Sequence, residues 1–86
     1  MDIEKLQSEI TIACDHYEKS APRTSKWLDD LYVRIDEEPE TVVLPEIMLV
    51  SRLFECGEFA QPNMANNMVY HMLERLGRNV EGFIGF

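Results

Sequence analysis

Positive charge is the scarcest property of this chain: eight Lys and Arg stand against sixteen Asp and Glu, a formal charge of −8. A surface so charged repels phosphate backbones and anionic headgroups, and it removes the counterion-release term that drives nucleic-acid binding. Neither direct nucleic-acid binding nor membrane contact is expected. None of the candidate helices is basic, which also argues against a helix-turn-helix reader of DNA.

Long apolar runs are missing too. No stretch reaches the roughly 18 residues of a membrane span, and the opening MDIEKLQSEI lacks the basic and then apolar run of a secretory signal. A cytoplasmic location follows as the expectation. Cysteine is sparse, with only Cys14 and Cys56 and no C-x-x-C pair, so a reducing compartment leaves both thiols free.

The motifs of chemistry are equally thin. There is no glycine-rich phosphate loop, no H-E-x-x-H, no Ser-His-Asp constellation and no Glu-x-x-His of the carboxylate di-iron bundles. The soft or nitrogen ligands are Cys14, His16, Cys56 and His71 alone. On a helix Cys14 and His16 point about 200° apart, so they form neither a ligand pair nor a nucleophile with its base. The chain is read as non-enzymatic, with no catalytic residues, no metal and no cofactor.

What is present is helical periodicity. Ile3, Leu6, Ile10, Ala13, Cys14 and Tyr17 share one stripe, which predicts a helix over 2–19. Pro22 disfavours helix at Ala21, and Thr24 or Ser25 is placed to cap a second helix over 26–37 that buries Trp27, Leu28, Leu31, Tyr32 and Ile35. Residues 41–44 admit a strand, but Pro45 suits a first helical position and Gly57 a left-handed cap, so a helix over 45–56 is preferred. Ile47, Leu49, Val50, Leu53, Phe54 and Cys56 cover most of its girth, which makes it the expected most buried element. A fourth helix over 62–76 carries Met64, Ala65, Met68, Val69, Met72, Leu73 and Leu76 on one half, and Asn63, Asn66, Asn67, Tyr70, His71 and Glu74 on the other. On that polar half Asn67, His71 and Glu74 are spaced for a local hydrogen-bonded cluster. The fold class expected is all-α: one domain over 1–86, a compact bundle of about four short helices with an apolar tail over 77–86. Val80, Phe83, Ile84 and Phe86 make that tail too apolar for a solvated terminus.

Two features point to partners. Asp29, Asp30, Asp36, Glu37, Glu38 and Glu40 fall within twelve residues opposed only by Arg34, and the last of them sit where a helix C-terminus disfavours negative charge. Such a group is either a solvated face or a docking surface for Lys and Arg on a larger protein, imitating a phosphate backbone. Met64 and Met68, at the margin of the fourth helix's apolar arc, offer with Phe83 and Phe86 a second, adaptable surface. The expected function is that of an inhibitor or adaptor that docks on a basic surface of a larger partner, a nucleic-acid-binding surface being one such case. Small acidic helical phage proteins that block host nucleic-acid enzymes are an analogy of type. The alternative is a structural subunit of a helical homo-oligomer, a homodimer included, or of a larger complex.

Overall fold

The computed structural model describes residues 2–54 and 57–78. These fold into an all-α bundle with no strand among them: α1 (Ile3–Tyr17), α2 (Pro22–Glu37), α3 (Leu44–Leu53) and α4 (Pro62–Arg75), with a 3-10 turn at Pro39–Thr41. The region 41–44 is therefore turn, extended link and helix start.

α1 begins where Asp2 accepts a hydrogen bond from the Lys5 amide at 3.0 Å, and the adjacent Glu4 suits the positive end of the helix. Its residues Leu6, Ile10, Ala13 and Tyr17, at spacings of four, three and four, are buried against α2. The small Cys14 and Ser25 allow close approach of the two helices. The Ser25 hydroxyl donates to the Cys14 carbonyl at 3.1 Å.

α2 starts four residues earlier than the pattern suggested. Pro22 does not break the chain there but occupies the first helical position, where its missing N–H costs nothing. Thr24 and Ser25 consequently lie inside the helix and are buried, not at its cap. Ala21, the residue at the cap, has no side chain able to accept the free amides. Asn66 of α4 does so instead: its Oδ1 accepts from the Thr24 amide at 3.2 Å and the Thr24 hydroxyl at 2.6 Å. One contact thus caps α2 and pins it to α4.

Trp27, Leu28, Leu31 and Ile35 turn inward from α2, while Tyr32 lies exposed. The Trp27 Nε1–H is buried with no acceptor among the described residues, at a cost of about 1 to 3 kcal/mol. Trp27 is therefore core and does not serve the acidic face as an anchor.

α3 is less enclosed than its composition suggested. It buries Leu49, Val50 and Leu53, yet Leu44 and Met48 are 64% and 55% exposed and Ile47 is half-buried. It also buries a charge, Glu46, at its first turn. Tyr17 closes the base of the core: its hydroxyl donates to the Ala60 carbonyl at 3.0 Å, and its ring meets Phe59 edge-on. Gly57 and Gly77 take the left-handed backbone, φ 73° and 71°, at the turns that follow α3 and α4. No helix among the described residues is long and apolar enough to cross a membrane.

Candidate functional site: an acidic helix face and a methionine groove

The acids singled out from the sequence form a surface and not a pocket. Asp29, Asp30, Asp36 and Glu37 are exposed on α2, and Glu38 and Glu40 continue the exposed run through the 3-10 turn. Helical spacing puts Asp29, Val33, Asp36 and Glu37 on one stripe with Tyr32 beside it. Tyr32 and Val33 are themselves 39% and 45% exposed, so the face mixes carboxylates with apolar area.

Of the six acids, Asp30 alone has a cationic partner among the described residues, the Arg34 Nε at 2.9 Å. Arg34 does not neutralise the others because it turns inward. Its Nη1 donates to Glu46 Oε1 at 3.1 Å and its Nη2 to Glu46 Oε2, a two-point pair in which Glu46 is wholly buried. Arg78 reaches the same carboxylate at 3.6 Å and donates to the Thr41 carbonyl at 3.0 Å. Burial pushes the Glu46 carboxyl up, but hydrogen bonding and charge from Arg34, the Arg78 charge and the Val43 amide together hold it below the usual glutamate value. In the sequence Glu46 looks like any other acid in a helix's first turn.

A second surface lies on the far side of α3. The stripe Pro45, Met48, Leu49 and Arg52 faces the α4 stripe Met64, Asn67, Met68, His71, Met72 and Arg75, with Leu76 just past the helix, across a groove of about 530 Å³. Its base is Leu49, buried, with Met68, Met72 and Leu76, half-buried; Met48 and Met64 form the lips, each more than half exposed. Arg52 from one helix and Arg75 from the other are exposed, with no acid among the described lining residues. Met64 and Met68 thus meet in one groove, while Phe83 and Phe86 lie outside the described residues. The sequence does not disclose the pairing of Met48 with them, because the apolar residues over 45–56 cover nearly every side of that helix.

The remaining candidates separate. Cys14 is half-buried, with its Sγ 3.1 Å from the Ser25 hydroxyl, and His16 is exposed and stacked on Phe59 at 3.9 Å. Asn67 and His71 line the groove, whereas Glu74 bonds the Tyr70 hydroxyl and raises its pKa, so the expected cluster of Asn67, His71 and Glu74 does not form as such. Among the described residues no three His, Cys, Asp or Glu side chains converge as a metal site; Cys56 lies outside them. No protein-family model, curated protein or solved structure matches this chain.

Proposed function

We propose that this chain is a non-enzymatic binding protein, an inhibitor or adaptor that docks the outer face of α2 and the turn beyond it on a basic surface of a larger protein. The observation that carries the reading is the exposed run Asp36, Glu37, Glu38 and Glu40, which has no cationic partner among the described residues and spans the C-terminal end of α2, where the helix dipole disfavours it. Carboxylates left unneutralised give long-range attraction toward Lys and Arg and set association rate and register. Tyr32 and Val33 supply apolar area at the same face, as interface centres require. A basic nucleic-acid-binding surface is the kind of partner such a face fits, and a phage-type inhibitor of a nucleic-acid enzyme is one form the protein would take.

Crosslinked capture from cell extract, followed by binding measurements with the purified captured protein, tests this. The Asp36→Lys, Glu37→Lys, Glu38→Lys triple variant should slow association by about tenfold or more, and raising the salt should weaken wild-type binding. Binding insensitive to both would reduce the acids to a solvated face. The second reading, a subunit of a larger assembly, is favoured by the exposed Leu44, Met48 and Met64 beside the groove.

A further inference from the structure

We propose that the groove between α3 and α4 receives an amphipathic helix of a partner protein whose apolar stripe is flanked by carboxylates. The inference deepens the second reading and is independent of the acidic face. The two walls are helix faces with apolar residues at three- and four-residue intervals, the spacing into which the ridges of a third helix pack. Met68 and Met72 at the base and Met48 and Met64 at the lips are unbranched and polarisable, so they adapt to an incoming side chain.

Charge selects the occupant. In a chain of formal charge −8, the groove reverses the local sign: Arg52 and Arg75 stand on opposite walls, and among the described residues no acid lines it and neither guanidinium has an ion-pair partner. Two copies pairing groove to groove would bring four guanidiniums together with no carboxylate among the described lining residues between them. A basic helix would meet the same repulsion, and a neutral one would leave both arginines without partners. A small anionic amphiphile would also answer the charge, but such ligands are held in clefts that bury about 70 to 90% of their surface, and these lips are open. A helix carrying acids on both sides of its apolar stripe satisfies the base and both walls.

The test uses two fluorescently labelled peptides of about four helical turns that share one leucine stripe and differ only in flanking Glu or Lys. The overall charge of the protein favours the Lys peptide, so the opposite order is diagnostic. Wild type should bind the Glu peptide about tenfold or more tighter, Arg52→Glu with Arg75→Glu should reverse the preference, and Met48→Ser with Met64→Ser should weaken the Glu peptide. All four positions are exposed, and circular dichroism confirms that each variant is folded. A Lys preference in wild type, or a Glu preference that survives the arginine reversal, overturns the proposal. Three other outcomes also overturn it by naming another occupant. One is a concentration-dependent mass abolished by the arginine reversal, which indicates a second copy. Another is displacement of the Glu peptide by laurate at its own binding concentration. The third is peptide binding that appears only after residues 79–86 are deleted. The acidic-face experiment uses different variants and a different probe, so either proposal can fail alone.

Discussion

Arg34 and Glu46 meet through two parallel hydrogen bonds that join the outer end of α2 to the first turn of α3, with the glutamate wholly buried and the arginine nearly so. Arg34 also holds Asp30 and the Thr41 carbonyl, so one guanidinium fastens α2, the 3-10 turn and α3. Glu46 in turn accepts from the Val43 amide at 3.4 Å, supplying the helix-start contact that the Val43 side chain cannot. Breaking a buried pair leaves an uncompensated charge, which costs more than the pair contributes. Glu46→Gln or Arg34→Met alone should therefore destabilise by about 3 to 5 kcal/mol in urea unfolding, whereas Arg34→Met with Glu46→Leu should recover much of that loss. A double variant as unstable as the sum of the singles would contradict this account.

The same pair dictates a pH dependence. Glu46 has its folded pKa below the unfolded value, so its stabilisation is complete above the unfolded pKa of about 4.3 and is lost as pH falls through the lower folded value. The melting temperatures of wild type and Glu46→Gln should differ most near neutrality, and the gap should narrow as pH falls below the unfolded pKa. A gap that stays constant as pH falls well below the unfolded value would mean that charge at Glu46 contributes nothing.

Asn66 offers a separate test, because it caps a helix that its own chain segment leaves open. Asn66→Ala strands the Thr24 amide and hydroxyl in a buried place and should cost about 1 to 3 kcal/mol. Asn66→Leu, similar in volume but without an acceptor, should not rescue it. Equal stability of Asn66→Leu and wild type would show that packing, not capping, is what Asn66 provides.

These contacts mark where the sequence was legible. The α1 stripe of Leu6, Ile10, Ala13 and Tyr17 was readable because burial against one neighbour imposes a helical period on adjacent residues. The Asn66 cap was not, because Asn66 and Thr24 are 42 residues apart, Thr24 looks like a local cap ahead of a later helix start, and Asn66 looks like one of several polar residues on α4. Glu46 was hidden similarly: an acid in a first turn is explained by the helix dipole before any buried arginine need be invoked. Met64 and Met68 stood at a visible margin of α4, but the groove needed α3 to turn Met48 and Arg52 toward them, a crossing geometry that periodicity within one helix does not contain.

α3 permits a paired prediction from two neighbouring apolar residues. Leu53 is fully buried and Met48 is 55% exposed. Leu53→Ala should cost about 2 to 5 kcal/mol through lost burial and a residual cavity, while Met48→Ala should fall within about 0.5 kcal/mol of wild type. Comparable losses at both sites, by denaturant titration, would show that Met48 is covered in solution and that the groove lip is not open.

The acidic face should lower the stability of the isolated chain. Asp36, Glu37 and Glu38 gather at the negative end of α2 with no cationic partner among the described residues, so they repel one another and the helix dipole. Reversing all three to Lys removes three negative charges, adds three positive ones and takes the formal charge from −8 to −2. At low ionic strength the triple variant should melt above wild type. Because exposed charges are screened beyond about 8 Å at physiological salt, the gap should narrow as salt is added. A destabilised variant would mean that these carboxylates support the fold through contacts of their own, and the argument that their placement serves a partner would lose its premise.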